Sequence, residues 1–216
     1  MRIDTEQIKE IYKKKSGDYY INQMNPGGLR SLWFRQRQLM TRVLIKKYAK
    51  QDLILDLGCG NCLWNDNGAH TVGIDICEAM LRCNQERINY FFSLKADIMR
   101  GLPIKSNSID TVIITEILEH TKNYSFMIEE ISRVLKSCGV VIVSVPYGKL
   151  PGLWGLIFPL WCSFKGLLEK DEYYLNKCGH VSSFNATDLR RAFNKFIFLE
   201  QVNISYLTLF SVFRKI

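Results

Sequence analysis

The residues of this sequence best suited to ligand chemistry follow short apolar runs, at intervals that place them at the ends of strands. The first run, 53–57, closes in a glycine-rich turn that contains Asp56, Gly58, Cys59 and Gly60. Glycines let the backbone pass close to a ligand, and free N–H groups after such a turn bind an anion. The second run ends in Asp75, whose carboxylate suits the two hydroxyls of a ribose.

The third and fourth runs end in further candidates, Asp97 and Ile98 after one and Thr115 and Glu116 after the other. In doubly wound sheets, ligands bind at the carboxyl ends of the strands. We therefore expect these residues to line one pocket, with the third strand end against an adenine edge.

The elements that must position these residues alternate between strand-length apolar runs and segments of helical periodicity. This alternation predicts parallel strands joined by right-handed crossovers. Near the C terminus, 195–203 and 206–214 both have strand character and a very short connection, which predicts an antiparallel hairpin. The expected fold is α/β, a Rossmann-like, doubly wound, seven-stranded, mostly parallel sheet with an antiparallel C-terminal edge hairpin.

Together these motifs resemble the class I S-adenosylmethionine-dependent methyltransferases, and within them the broad group that includes the ubiquinone and menaquinone biosynthesis methyltransferases. The segments that carry the resemblance are 55–60, 72–75, 95–103, 108–120, 130–139 and 179–184. The resemblance implies S-adenosyl-L-methionine as cofactor, S-adenosyl-L-homocysteine as product and methyl transfer as the reaction.

The resemblance also gives each candidate a role. The expected cofactor contacts are Asp56, Gly58, Cys59 and Gly60 at the methionine part, Asp75 and Ile76 at the ribose and adenine, Asp97 and Ile98 beside the adenine, and Thr115 and Glu116 beside the sulfonium. The turn departs from the family pattern, because Cys62 stands where a small residue is usual. Only 11 residues separate Gly60 from Val72, which predicts a first crossover helix of about one turn.

The resemblance implies a single domain over 1–216, in which different stretches have different tasks. They are N-terminal helices over the active site (1–49), the cofactor-binding core (50–146), a substrate-side lid insertion (147–185) and a closing helix and hairpin (186–216). Asp4 is expected to cap the first helix. A longer helix over 29–49 has an apolar stripe of Leu32, Leu39, Val43 and Leu44.

Two histidines, His120 and His180, are the candidate catalytic residues. Transfer of a methyl group from a sulfonium is an in-line displacement, so alignment and exclusion of water are its main requirements. A general base is needed only where the acceptor must lose a proton, and histidine titrates near neutrality. The alternative for each histidine is a structural hydrogen bond.

The seven cysteines are an odd number, scattered along the chain, and indicate reduced thiols and a cytoplasmic protein. Cys59 and Cys62 form a C-x-x-C pair, but no second pair completes a zinc site. No metal is expected.

The segment 150–164 carries no charge and contains two Trp and two Phe. It is too short to span a bilayer, and Pro159 is expected to interrupt it. Three interpretations stay open: a lid over an apolar substrate, a surface at a membrane interface, and ordinary packing. We expect a small-molecule or lipid-like acceptor, with peripheral membrane contact as an alternative location.

The net charge of +8 permits an anionic partner such as RNA, so an RNA or protein methyltransferase is the second hypothesis. A nucleic acid is disfavoured, because the fourth strand ends in Thr-Glu-Ile-Leu and no RNA-binding module is recognisable. A non-catalytic cofactor-binding protein is the third hypothesis. The sequence leaves the oligomeric state open.

Overall fold

A seven-stranded sheet forms the centre of the computed structural model, which describes residues 5–24, 27–49, 53–66, 68–169, 174 and 177–216. Its strand order is β3-β2-β1-β4-β5-β7-β6. The strands are β1 (Ile54–Leu57), β2 (Thr71–Asp75), β3 (Phe91–Lys95), β4 (Ile109–Thr115), β5 (Leu135–Pro146), β6 (Phe196–Ile204) and β7 (Thr208–Lys215). The reversal of strand order between β1 and β4 is the topological switch point, where a ligand site is expected.

Strands β1 to β5 are parallel, whereas β7 runs antiparallel to β5 and to the edge strand β6. The mostly parallel sheet and its C-terminal hairpin are therefore confirmed. Strand β1 is buried along its whole length, and β4 is buried at five of its seven positions. These two central strands hold the glycine-rich turn and the Thr115–Glu116 end in fixed positions.

Helices cover the sheet and the carboxyl ends of its strands. They are α1 (Thr5–Lys13), α2 (Tyr19–Met24), α3 (Gly28–Tyr48), α4 (Glu78–Arg87), α5 (Tyr124–Val134), α6 (Trp154–Glu169) and α7 (Ala186–Ala192). Short 3-10 turns lie at Ile98–Arg100, Leu118–His120 and Lys177–Gly179. The expected cap at Asp4 lies outside the described residues.

Helix α3 spans almost the predicted range, but the prediction of its apolar stripe was wrong. Leu32, Leu39 and Val43 are exposed, and only Leu44 belongs to the core. Phe34 and Leu44 are both buried, so the side of α3 that packs against the rest of the protein is not the side on which Leu32, Leu39 and Val43 lie. Tertiary packing has overridden the periodicity here.

The connection from β1 to β2 contains turns and no helix among its described residues, so the expected one-turn crossover helix is absent. Two arginine side chains satisfy its carbonyl groups instead. Arg42 donates to the carbonyls of Leu63 (2.9 Å) and Trp64 (2.8 Å), and Arg87 donates to those of Asn61 and Cys62. The loop pairs some of its own backbone groups, such as the N–H of Asn65 with the carbonyl of Cys62, and the two guanidinium groups supply further donors that a helix would have provided.

Helix α5 ends at Val134, and the chain enters β5 at the next residue. The apolar spacing of 122–136 predicts a helix that continues to 136, with Gly139 near its C-terminal end, and this prediction was wrong. Gly139 lies inside β5, beside a register shift against β4, where an added Cβ would lie 2.9 Å from the Lys136 carbonyl oxygen. The glycine allows a close backbone approach rather than ending a helix.

Helix α6 continues through Pro159, so the expected interruption was also wrong. Proline removes one N–H group, which in this helix would have bonded to the carbonyl of Gly155, and the rest of the helix stays intact. One side of α6 is buried, and the other exposes apolar residues, namely Leu156, Leu160, Phe164, Leu167 and Leu168. Among the described residues, no helix is long and apolar enough to cross a membrane.

Candidate active site

A pocket of about 830 Å³ including its open mouth lies at the carboxyl ends of β1 to β4, and we call it the strand-end pocket. It gathers eight predicted site residues: Gly58, Gly60, Asp75, Ile76, Asp97, Ile98, Glu116 and His120. The other four, Asp56, Cys59, Thr115 and His180, line the adjoining cavity described below. The structure thus brings all twelve predicted residues to one region.

The glycine-rich turn has a shape that only glycine accommodates at two positions. Gly58 has φ of 66°, and an added Cβ would lie 2.3 Å from the Ile117 side chain. Gly60 has φ of 48°, and its added Cβ would lie 2.9 Å from the Tyr20 ring. Positive φ and close approach together explain why glycine occupies both positions.

Asp75 closes this turn onto the end of β2. Its carboxylate accepts hydrogen bonds of 2.8 Å from the backbone N–H groups of Gly60 and Cys77. Burial raises the pKa of Asp75, and these two N–H groups oppose that rise. A carboxylate oxygen accepts more than one hydrogen bond, so Asp75 retains capacity for hydroxyl donors of a ligand.

Asp97 connects the third strand end to the N-terminal helix α1. It accepts from the N–H of Met99 (3.0 Å) and forms an ion pair of 2.7 Å with Lys9. Lys9 and Tyr12 of α1 also line the strand-end pocket. The sequence did not predict Lys9 and Tyr12 as site residues, because their place in the pocket follows only from the packing of α1 against the strand ends.

Asp56 is almost fully buried, and the loop after β1 uses its carboxylate. The indole N–H of Trp64 donates to it at 2.7 Å, and the Cys62 thiol lies 3.4 Å from the same oxygen. Burial raises the pKa of Asp56 to about 6, against the effect of these two donors. Cys62, which departs from the family pattern, therefore takes part in the bonding that holds this loop.

A second cavity, of about 1920 Å³ including its open mouth, adjoins the strand-end pocket, and we call it the aromatic cavity. Stacked rings run along it: Trp33 on Trp154 (4.9 Å between centroids), Trp154 on Phe158 (4.6 Å) and Phe158 on His180 (4.7 Å). Arg30 and Arg37 lie against aromatic rings in the same cavity. The buried side of α6 is thus a wall of this cavity.

The two cavities share a wall that contains Gly58, Gly60, Glu116 and His120. Glu116 follows β4 with φ of 56°, a conformation that is uncommon for a residue other than glycine. Its carboxylate accepts from the Ser144 hydroxyl at 2.8 Å and lies 3.8 Å from Arg37. The backbone conformation and these contacts fix Glu116 between the cavities.

His120 and His180 lie side by side at this wall, with ring centroids 4.9 Å apart. The segment that carries His180 is held by the Glu119 carbonyl, which accepts from the N–H groups of Val181 (2.8 Å) and Ser182 (2.9 Å). Burial lowers the pKa of His120 to about 4. Burial, and then the neighbouring His120 and Arg37, lower the pKa of His180 well below 6.5.

Glu119 was not predicted as a site residue. Its side chain is 2% exposed, and burial followed by repulsion from Glu116 raises its pKa well above 4.5. The spacing Glu116-x-x-Glu119-His120 was the available signal, because a single turn brings such residues to one side. The contribution of His180 has no local signal, since it lies 60 positions after His120.

The fold and this geometry agree with the comparisons with known proteins. Residues 55–143 match the family model described as a methyltransferase domain. A demethylmenaquinone methyltransferase from Lactococcus lactis is 29% identical over 69% of this chain and 63% of its own length. The chain spans less than two thirds of the length of the first curated relatives that it matches.

Two solved structures share the fold over nearly the whole chain. The N-methyltransferase NodS from Bradyrhizobium japonicum, in complex with S-adenosyl-L-homocysteine, has a TM-score of 0.65 at 15% identity and covers 99% of each chain. The [4+2]-cyclase SpnF has a TM-score of 0.71 at 14% identity, with 100% of this chain and 97% of that chain covered. The fold therefore occurs in proteins with different named reactions.

Residues 55–143 thus form a methyltransferase domain, and relatives of this part of the chain are named S-adenosylmethionine-dependent methyltransferases. S-adenosyl-L-methionine is the cofactor of that class.

Proposed function

We propose that this protein transfers the methyl group of S-adenosyl-L-methionine to a small, apolar, lipid-like acceptor that binds in the aromatic cavity. The observation that carries the proposal is the shared wall of Gly58, Gly60, Glu116 and His120, which joins a strand-end pocket to a second, aromatic cavity. Donor and acceptor in adjoining cavities are what an in-line transfer requires.

The strand-end pocket fits the cofactor. The turn around Gly58 and Gly60 leaves room for a ligand to approach the backbone closely, and a Cβ at either position would collide with its neighbours. Asp75 and Asp97 would hold the ribose and adenine, with Ile76 and Ile98 as apolar contacts. The cofactor supplies the electrophilic methyl group, and the protein's task is alignment and exclusion of water.

The aromatic cavity supports a planar apolar acceptor. Its column of stacked rings offers the broad faces that favour offset stacking with another ring. Two buried donors, Arg37 Nε and Trp154 Nε1, have no hydrogen-bond partner among the described residues. A methyl acceptor that carries an oxygen atom could accept a hydrogen bond from Arg37 or Trp154. This is consistent with the name of the Lactococcus relative, a demethylmenaquinone methyltransferase.

We further propose that the acceptor reaches the cavity from a lipid interface that contacts the exposed side of α6. The face of Leu160, Phe164 and Leu167 lies on the helix whose other side lines the cavity, and Lys165 is the only charge in 154–168. A net charge of +8 complements anionic headgroups. The chain as a whole would then act as one domain, with α6 as its lid.

The function is tested by incubation of the protein with S-adenosyl-L-methionine labelled on the methyl group and a panel of phenols, quinols, amines and RNA. We expect label in the solvent-extractable product and equimolar S-adenosyl-L-homocysteine. Trp154→Ala is expected to raise the KM for the acceptor and to leave S-adenosyl-L-homocysteine affinity unchanged. Label found only in acid-precipitable RNA would favour an RNA methyltransferase instead. Tight cofactor binding without any turnover would favour a non-catalytic cofactor-binding protein.

The lipid contact is tested separately by flotation with vesicles of equal parts phosphatidylglycerol and phosphatidylcholine. The wild type is expected to float with the vesicles, and a Leu160→Glu, Phe164→Glu double variant is expected to remain at the bottom. Phe92→Glu, on the exposed edge strand β3, is the matched control because Phe92 is also mostly exposed. Equal flotation of all three proteins would exclude the α6 face as the contact.

A further inference from the structure

Three side chains at the shared wall converge in a way that methyl transfer by alignment alone does not require. One ligand atom from each of Glu119, His120 and His180 lies within 4.8 Å of the others. Glu119 Oε1 and His120 Nε2 lie 3.9 Å apart. Glu116 follows the same strand and forms part of the same wall.

Glu119 presents the first unexplained feature of this group. Its Oε2 is buried and has no hydrogen-bond partner among the described residues. A carboxylate oxygen buried without a partner loses its hydration and gains nothing in return. The charges that face it are Glu116, which repels it, and Arg37, whose guanidinium lies 3.8 Å from the Glu116 carboxylate. The group therefore has two carboxylates and one cation.

The orientation of His120 is the second feature. Its Nδ1 lies 3.3 Å from the Gly179 carbonyl oxygen, which only accepts, so Nδ1 carries the proton in this contact. In a neutral imidazole the other nitrogen, Nε2, then has a free lone pair, and it is this atom that faces Glu119. Histidines that bind metals characteristically donate their other N–H to a backbone carbonyl or carboxylate in this way.

Two potential metal-binding groups, His120 Nε2 and the Glu119 carboxyl group, thus face each other. Atoms bound to one ion at about 2.1 Å lie between about 3 and 4.2 Å apart, depending on the coordination angle. The observed 3.9 Å between these atoms falls within that range.

We propose that Glu119, His120 and His180 bind one divalent metal ion at the wall between the two cavities, with Glu116 as the candidate fourth ligand. A mixed set of imidazole nitrogens and carboxylate oxygens, without thiolates, suits a first-row ion such as Mn²⁺, Fe²⁺, Co²⁺ or Zn²⁺. The expectation that no metal is present rested on the cysteine spacing, which has no bearing on this set.

The proposal rests on the proposed function and narrows the acceptor to a hydroxylated molecule. An ion held by these residues would lower the pKa of an acceptor hydroxyl that binds it, and the hydroxyl proton would pass to solvent water. That oxygen then forms a bond to the methyl carbon while the carbon–sulfur bond breaks and its electron pair stays on sulfur. The products are a methyl ether and S-adenosyl-L-homocysteine, with one proton released.

The test uses chelator-stripped full-length protein and Mn²⁺, Co²⁺ or Zn²⁺ alone, with neither cofactor nor acceptor. Calorimetry and, for Mn²⁺, electron paramagnetic resonance are expected to show one saturable site per chain. His180→Ala and the isosteric Glu119→Gln are expected to weaken binding by about 10- to 100-fold or more. His70→Ala is the matched control, because His70 is an exposed histidine outside the group.

Saturable binding that is lost in both variants and kept in His70→Ala supports the site. Absence of a saturable site for all three ions, or equal affinity in wild type and Glu119→Gln, overturns it. Glu119→Gln keeps the side chain's shape, so its folding and its S-adenosyl-L-homocysteine affinity, measured alongside, are expected to match wild type. A protein that binds S-adenosyl-L-homocysteine but no metal contradicts this inference alone, whereas metal binding without cofactor binding contradicts the proposed function.

Discussion

The two cavities that meet at Gly58, Glu116 and His120 are built in different ways. The strand-end pocket consists largely of residues that directly follow β1 to β4, and backbone N–H groups hold the carboxylates of Asp75 and Asp97. The aromatic cavity is assembled from helices α2, α3 and α6 and the segment around His180, and contacts between side chains hold it together.

This difference predicts different consequences of substitution. A pocket fixed by backbone geometry tolerates few changes, because every ligand contact depends on the same turns. A cavity lined by side chains from separate helices changes its shape and specificity without unfolding the sheet. In the proposed function the cofactor pocket would stay constant while the acceptor cavity varies, and the fold itself occurs in proteins with different named reactions.

The largest effect is expected for Gly58→Ala. Its Cβ would lie 2.3 Å from Ile117, in addition to the strain of φ at 66°. We expect a loss of about 3 kcal/mol in the free energy of unfolding and no measurable S-adenosyl-L-homocysteine binding. Gly27→Ala is the control, because Gly27 has φ of 74° but no atom within 4 Å of an added Cβ. The free energies of unfolding of both variants are measured by urea denaturation. Gly27→Ala should lose only the cost of backbone strain, about 1 kcal/mol, whereas Gly58→Ala should also lose the cost of the steric collision. Equal losses would show that the close approach is unimportant.

A smaller effect is expected for Trp64→Phe, which removes the indole donor to Asp56. A hydrogen bond to a buried carboxylate contributes about 2 kcal/mol, and its loss should also weaken cofactor binding through the turn. Trp33→Phe removes an indole donor of 3.0 Å to the Thr208 hydroxyl on the acceptor side. That variant should cost about 1 kcal/mol in unfolding free energy and leave cofactor affinity unchanged. An equal fall in cofactor affinity for Trp64→Phe and Trp33→Phe would contradict the prediction that only the strand-end pocket determines cofactor binding.

The smallest effect is expected for Glu130→Gln, behind the strand-end pocket. Glu130 accepts from Arg133 (2.6 Å) and from the N–H of Leu102 (2.7 Å), and the Arg133 guanidinium lowers the pKa of Glu130 from 4.5 to about 2. Its contribution, about 1 kcal/mol, is fully present above pH 4.5 and is lost as the pH falls towards 2. The unfolding free energies of wild type and variant should therefore differ at pH 7 and converge in acid.

The matched control is Glu129→Gln, because Glu129 is exposed and lies 3.9 Å from Lys195. It should be indistinguishable from wild type at every pH. A gap between wild type and Glu130→Gln that stays constant down to pH 2 would indicate that packing, rather than the ion pair, is the source of the stability.

The same contrast explains how far the sequence could predict the molecule. Strand ends and glycine turns are local signals, so the seven-stranded sheet and the convergence of Asp75, Asp97 and Glu116 at one edge were foreseen. The loop after Gly60 was not, because Arg42 and Arg87 replace its expected helix from distant positions. Lys9 and the aromatic column depend on how helices pack against the strand ends, which no local pattern specifies.

The measurement that tests the cofactor assignment most directly is calorimetric titration of S-adenosyl-L-homocysteine into wild type, Asp75→Ala and Asp110→Ala. Asp110 lies near the start of β4, at the opposite end of the strand from the pocket, and pairs with Lys136 at 2.6 Å. Loss of the charged hydrogen bonds of Asp75 is expected to weaken binding by about 100-fold, about 2.8 kcal/mol, whereas Asp110→Ala should bind like wild type. Affinity of Asp75→Ala within about threefold of wild type would contradict the assignment of the strand-end pocket to the cofactor.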